Sequence, residues 1–368
     1  MTLIKKSFSA LALSMAISVS AHAADVLKIG IAGPQTGTVS QYGDMQFQGT
    51  KAAIELINKA GGVNGMMLEA IEYDDACDPK QAVAVANKVV NDGVQYVVGH
   101  LCSSSTQPAS DVYEEEGVLA ITCSTNPSIT ERGHQMIFRT IGLDSDQGPT
   151  AAKHIIENVK PQRVAIIHDK QQYGEGIAMS VHDELKKAGV DVVMTEGITV
   201  GDKDFSSVIT KMKKEGVDFV YYGGYHPELG LILRQSKQNG LNAKFMGPEA
   251  VGNKEISKIA GEASNGLLVT LPARYDLLAK NKDIVALMDS KKQDSTGPFV
   301  WTSVAAVQVM ADVISRVGAD DPTKVADAIR GATIDTAMGP LTWDDKGDLI
   351  GFEFGIYSWN ADGTGTQM

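Results

Sequence analysis

The sequence predicts an α/β fold of two similar, Rossmann-like lobes with parallel-rich sheets. Three observations carry this. Short β-branched runs alternate with amphipathic helical stretches, which is the pattern of βαβ winding with right-handed crossovers. The pattern runs once to about Ile121 and then restarts near Gly148-Pro149. After a leader is set aside, about 345 residues remain, long for one core and comfortable for two.

The leader is residues 1–23. Lys5 and Lys6 form a positive start, Phe8 to Val19 a short apolar stretch, and Ala21-His22-Ala23 a small-x-small cleavage signal. This reads as a secretory signal peptide, so export to the periplasm is expected. The apolar stretch is short for a bilayer span, and no later run is expected to cross one.

Val26 to Ile31 is the first expected strand, ended by Gly33-Pro34. A helix follows from about Tyr42 to Asn58 and stops at Gly61-Gly62. Asn64-Gly65 turns the chain into a strand at Leu68 to Tyr73. Asp78 caps the next helix, with Pro79 at its first position. Ala82, Val85, Ala86 and Val89 give that helix an apolar face. Tyr96 to Val98 is a strand, Ser105 to Glu116 a helix, and Val118 to Ile121 a strand.

In the second winding, Gly148-Pro149 opens a helix. Strands are expected at Arg163 to His168, Val192 to Thr195, Phe219 to Tyr222 and Lys244 to Met246. Helices at Tyr173 to Lys187, Phe205 to Lys214 and Leu229 to Asn239 separate them. The tail predicts a long helix from Phe299 to Val317. A hairpin is expected from Leu341-Thr342-Trp343 through Asp344 to Gly347 and back along Phe352-Glu353-Phe354.

The formal net charge is −12, and losing Lys5 and Lys6 makes the remainder two units more negative. Nucleic acid and anionic membrane are therefore disfavoured partners. Three cysteines, Cys77, Cys102 and Cys123, in an oxidising compartment predict one disulfide and one odd thiol. No CxxC pair or Cys/His cluster suggests a metal, and no cofactor is expected. G-x-S-x-G, Walker and H-E-x-x-H signatures are missing. Gly174-Glu175-Gly176 begins like a dinucleotide fingerprint but continues Ile177-Ala178-Met179.

Ligands of open parallel sheets lie beyond the carboxyl ends of strands. After Tyr96-Val97-Val98 comes His100-Leu101-Cys102-Ser103-Ser104-Ser105-Thr106. Its hydroxyls and free helix-start N–H groups either cradle an anion or simply cap the helix. Thr122-Cys123-Ser124-Thr125-Asn126, after another strand, is either a second donor set or an ordinary polar loop. Tyr225 and Glu249 follow strands of the second winding. Glu249 is either a countercharge for an ammonium or a solvated surface group. Tyr42, Tyr173, Tyr225 and Phe299 either wall an apolar pocket or serve the cores.

Longer stretches carry a resemblance. They include Tyr73-Asp74-Asp75-Ala76-Cys77-Asp78-Pro79-Lys80, Gly99 through Ser110, Leu143-Asp144-Ser145-Asp146-Gln147-Gly148-Pro149, and Asp169 through Gly176. Tyr221 through Glu228, Phe245-Met246-Gly247-Pro248-Glu249 and Met338 through Trp343 complete the set. Collinear over essentially the whole chain after the leader, they resemble the periplasmic leucine/isoleucine/valine-binding proteins. These are receptors for branched-chain amino-acid ABC importers with the type I periplasmic binding protein fold.

The resemblance implies two hinge-linked lobes joined by several crossovers. Lobe one would be 25–144 plus 273–352, and lobe two 145–272 plus 353–368. It implies a leucine, isoleucine or valine ligand, an inner-membrane permease as partner, a monomeric state and no catalysis. By the same resemblance Ser103 binds the ligand carboxylate, Thr125 touches carboxylate and ammonium, and Glu249 neutralises the ammonium. Tyr225 lies beside the head group. Tyr42, Leu101, Cys102, Tyr173 and Phe299 face the aliphatic tail, and Cys77 pairs with Cys102.

One departure stands out. Ile121-Thr122-Cys123-Ser124-Thr125 is one residue shorter than the family's loop and adds a cysteine. Ser124 is expected to supply the carbonyl that accepts an ammonium proton. Two further readings remain open on the sequence: a periplasmic hydrolase using Ser103 and His100, and a ligand sensor serving a membrane receptor.

Overall fold

A computed structural model describes residues 26–368, so the expected signal peptide lies outside the described residues. The first winding comprises β1 (Val26–Gly33), α1 (Ser40–Lys59), β2 (Met67–Asp74), α2 (Pro79–Asn91), β3 (Tyr96–Gly99), α3 (Ser103–Glu116), β4 (Leu119–Thr122) and β5 (Ile137–Arg139). Its sheet has the order β2-β1-β3-β4-β5, every pair parallel. The chain winds outward to β2 and then crosses back to β3, so a crevice opens beyond the strand ends between β1 and β3. The start of α2 follows the sequence logic. The Asp78 carboxylate accepts from the Lys80 and Gln81 N–H groups at 2.9 and 2.8 Å, with Pro79 first in the helix. Such a cap is worth about 1 kcal/mol.

The second winding comprises α4 (Asp144–His154), β6 (Val164–His168), α5 (Gln172–Lys187), β7 (Val192–Gly197), α6 (Ser206–Lys214), β8 (Phe219–Gly223), α7 (His226–Gln238), β9 (Lys244–Gly247), α8 (Lys254–Ala260) and β10 (Leu268–Leu271). The chain then returns to the first sheet through α9 (Lys282–Ser290), α10 (Pro298–Val317), α11 (Pro322–Ile329), and the antiparallel pair β11 (Thr333–Thr336) and β12 (Gly339–Thr342). It ends in β13 (Gly355–Trp359) and β14 (Gly365–Gln367). These last two join the second sheet antiparallel, giving β14-β13-β10-β9-β8-β6-β7.

Each sheet is covered on both faces. Ile29, Val98 and Ile121 of the first sheet pack with Val304, Val307 and Ile314 of α10, while Val97 and Ala120 on its other face pack with Ala82, Ala86 and Tyr113. The second sheet repeats the plan: Ile167 and Val220 meet Ile209 and Ile232 on one face, and Ile166 and Phe219 meet Ile177 and Val181 on the other. Near-continuous apolar strands are what two-sided burial demands. Cys77 and Cys102 form a disulfide with Cα atoms 5.6 Å apart.

Three expectations are corrected. The helix expected to open at Gly148-Pro149 starts at Asp144, about one turn earlier, and takes Pro149 into its interior. The tail hairpin forms only its turn, where Trp343 bridges Leu349; Leu341 pairs instead with Ile334, and Phe352 to Phe354 form no strand. The expectation that no later run suits a bilayer also fails on length and composition, since α10 meets both. It is the core helix of the first lobe, with Val304, Val307, Val309 and Val313 fully buried.

Candidate functional site

The passage from β3 to α3 is set by Gly99. Its φ is +139°, and a Cβ there would come 2.1 Å from the Ala32 carbonyl oxygen, so no larger residue fits. The chain then reaches Ser103, the first residue of α3. Among the described residues the Ser103 and Ser104 N–H groups have no partner, while those of Ser105 and Thr106 bond back to the Cys102 carbonyl. Ser103 is 2% exposed, and among the described residues its hydroxyl has one partner, a long 3.4 Å bond from the Asn126 N–H. Free N–H groups, a hydroxyl and the positive end of a helix together attract an anion.

His100 does not serve Ser103. Its ring nitrogens are taken by Asp75 at 2.6 Å and the Tyr113 hydroxyl at 2.9 Å, deep in lobe one. The nucleophile–base pair needed by the hydrolase reading is therefore not formed.

The loop after β4 is bolted into lobe one. The Ser124 hydroxyl bonds the Thr106 hydroxyl at 2.6 Å and the Leu101 carbonyl at 2.8 Å. Its carbonyl accepts from Arg139, which is held by Asp348 at 2.6 Å. The Ser124 hydroxyl thus points into lobe one and its carbonyl already accepts from Arg139, while the residue still lines the cleft. Cys123 has the loop's one carbonyl without a partner among the described residues. The Thr125 hydroxyl is buried, also without a partner.

Glu249 comes from the opposite side, just after β9. It is 2% exposed, and the Gln147 side chain donates to it at 2.6 Å. Burial pushes its carboxyl up to about 6, against the lowering effect of Gln147. Asp144, at the start of α4, is fully buried, and neither carboxylate oxygen has a well-formed hydrogen bond. Burial, and then the charge of Glu249, hold it well above the usual carboxylate range. Neither acid has an ion-pair partner among the described residues. The desolvated carboxylate of Glu249, facing the cleft, favours a cation there.

Leu101, Ser103, Thr125, Tyr173, Tyr225, Glu249 and Phe299 line one small cleft together with Ser124, Cys123 and Ala250. Tyr42 and Cys102 stand behind this wall. Tyr42 packs edge-on against Phe299 with ring centres 5.3 Å apart, and its hydroxyl bonds the Ala250 carbonyl across the cleft. Cys102 is fully buried in its disulfide. Sequence reasoning missed Asp144 and Gln147, although both lie in the stretch 143–149. Nothing local shows that the first turn of α4 is buried. A wider cavity, lined by Asp44, Arg274, Trp301 and Tyr357, contains none of the expected residues.

Contacts hold the two sheets' surroundings together on both flanks. Gln41 bonds His226 at 2.8 Å, and the Asn126 amide donates to the Gln172 carbonyl at 3.0 Å. Gln172 in turn donates to the Ser128 hydroxyl at 2.8 Å. A helix-start anion cradle, a buried acid and an apolar wall between two wound lobes define a protein with a small-molecule binding cleft between its lobes.

Comparison with known proteins agrees. Residues 26–364 match the periplasmic binding protein family, and the chain belongs to that family. A Leu/Ile/Val/Thr-binding protein of Salmonella typhimurium is 59% identical, covering 96% of this chain and 97% of the relative. A leucine-, isoleucine-, valine-, threonine- and alanine-binding protein of Pseudomonas aeruginosa is 58% identical, covering 98% and 97%. Among solved structures, a leucine binding protein of Thermotoga maritima superposes with a TM-score of 0.86 at 26% identity, covering 93% and 97%.

Proposed function

We propose that the protein binds a branched-chain aliphatic amino acid, leucine, isoleucine or valine, and delivers it to the permease of an ABC importer. Cleaved of residues 1–23 it works in the periplasm as a monomer and without catalysis. The observation that carries the reading is one cleft with an anion cradle on one side, the buried acid Glu249 on the other and an apolar wall between.

Ser103, through its hydroxyl and N–H, binds the ligand carboxylate. Thr125 reaches both carboxylate and ammonium. Glu249 is the countercharge, and the Cys123 carbonyl accepts an ammonium proton in place of Ser124. Tyr225 flanks the head group, while Leu101, Tyr173 and Phe299 face the tail, with Tyr42 and Cys102 supporting them from behind. Burying a leucine-sized side chain yields roughly 1.5–3 kcal/mol. One methylene changes this by only about 1–3 kcal/mol, so three aliphatic ligands can share the site. Charged side chains are left without partners.

The chain crosses between lobes near residues 144, 272 and 353, which we take as the hinge. The ligand binds lobe one by its carboxylate and lobe two by its ammonium, and so favours the closed arrangement. A thermal-shift screen of the twenty amino acids tests the reading, because binding to the folded state raises its stability. Leucine, isoleucine and valine are expected to raise Tm, and charged amino acids to leave it unchanged. A screen in which only polar or charged amino acids stabilise the protein would refute it.

A further inference from the structure

We propose that Cys123 is a specificity-determining residue, its side chain setting how long an aliphatic tail the cleft accepts. The inference rests on the binding function proposed above. Its geometric basis is the way the loop is anchored. The Ser124 hydroxyl is held by Thr106 and Leu101, its N–H by the Thr122 hydroxyl at 2.9 Å, and its carbonyl by Arg139. The Thr122 hydroxyl reaches the His100 carbonyl. With the hydroxyls of both neighbours bonded into lobe one, Cys123 between them lines the cleft, where it meets Leu101, Phe299 and Tyr225.

This anchoring gives position 123 its leverage. The backbone is tied at both neighbouring residues, and Arg139 is itself buried and paired with Asp348. A change of volume at 123 is therefore not absorbed by movement of the loop and passes into the cavity. The thiol is 6% exposed, among apolar neighbours and within hydrogen-bonding reach of the Thr302 side chain. Burial, and then the nearby Glu249 charge, push it up to about 12. It is thus a neutral thiol, a small apolar wall group rather than a reactive thiolate. Alanine there lengthens the apolar slot, and methionine fills it.

The test is calorimetric titration of valine, leucine, isoleucine and methionine into the wild type, Cys123→Ala and Cys123→Met. Cys123→Ala is expected to raise the methionine-to-valine affinity ratio about tenfold, the effect of roughly one methylene. Cys123→Met is expected to weaken leucine and isoleucine about tenfold or more relative to valine. Should Cys123→Met fail to fold, Cys123→Ala decides alone. Ratios unchanged in Cys123→Ala, or all ligands weakened by one common factor, overturn the inference and reduce Cys123 to packing. A wild type that binds none of these ligands overturns the binding function itself, so the two failures are distinguishable.

Discussion

At the scale of single residues, the site is a problem of unpaired charge. Glu249 is buried without an ion-pair partner among the described residues, and in the proposed binding a ligand ammonium supplies the missing cation. Glu249→Gln keeps the shape but leaves that ammonium buried against a neutral amide, which costs several kcal/mol. Leucine affinity measured by calorimetry is expected to fall by orders of magnitude. The pH dependence follows in sign. Binding requires ionised Glu249, and the bound ammonium lowers its pKa from about 6. Affinity is therefore full above about pH 6 and declines as pH falls below it. Ser103→Ala removes one hydrogen bond to a charged group, worth about 1.5–3 kcal/mol, and should weaken binding roughly tenfold to a hundredfold with Tm unchanged. That Ser103, Thr125 and Glu249 would come to one cleft was legible because each follows a strand end, and Ser103 and Glu249 lie in stretches that carry the resemblance. The burial of Asp144 was not, since it depends on where β5 delivers the chain. The orientation of Ser124 depends on Arg139 and Asp348, the latter distant in sequence.

At the scale of elements, the closed arrangement depends on helix starts meeting across the cleft. The start of α1 presents Gln41 and Tyr42 to His226, the first residue of α7. Burial pushes the His226 imidazole down to about 3. In an open arrangement the ring would titrate near its ordinary value of about 6.5. The contribution of this contact to closure is therefore complete above that value and is lost as pH falls toward the closed-state pKa. His226→Gln should make the pH dependence of leucine affinity between pH 5 and 7 shallower, leaving the part due to Glu249. An unchanged slope would show that the ring does not titrate with closure. The elements themselves were largely legible, because apolar periodicity and caps such as Asp78 act locally. The tail was not: β13 pairs with β10, its partner Leu271 lying opposite Gly355, and no local pattern announces a strand whose partner is so remote.

At the scale of the whole molecule, the three-part crossing between lobes predicts a change of shape. Saturating leucine should reduce the radius of gyration in small-angle scattering, and Glu249→Gln should abolish the change at the same leucine concentration. The disulfide works on a different part of the stability. It closes a separation of 25 residues, for which the chain-entropy account gives roughly 3 kcal/mol. Mass spectrometry of unreduced, alkylated protein should find one modified cysteine, Cys123, once the protein is unfolded. The two-lobed plan was readable because winding repeats along the chain, whereas the return of α10 to the first lobe was not. That helix is apolar on nearly every side, so its pattern alone does not say which sheet it covers.

The central claim is that one ligand is held by its carboxylate on lobe one and its ammonium on lobe two. A crystal structure of the protein with leucine measures this most directly. The account predicts the carboxylate at the Ser103 N–H and hydroxyl, the ammonium at Glu249 and the Cys123 carbonyl, and the tail against Leu101 and Phe299. Leucine bound with its head group reversed, or in the wider cavity beside Arg274 and Trp301, would contradict it.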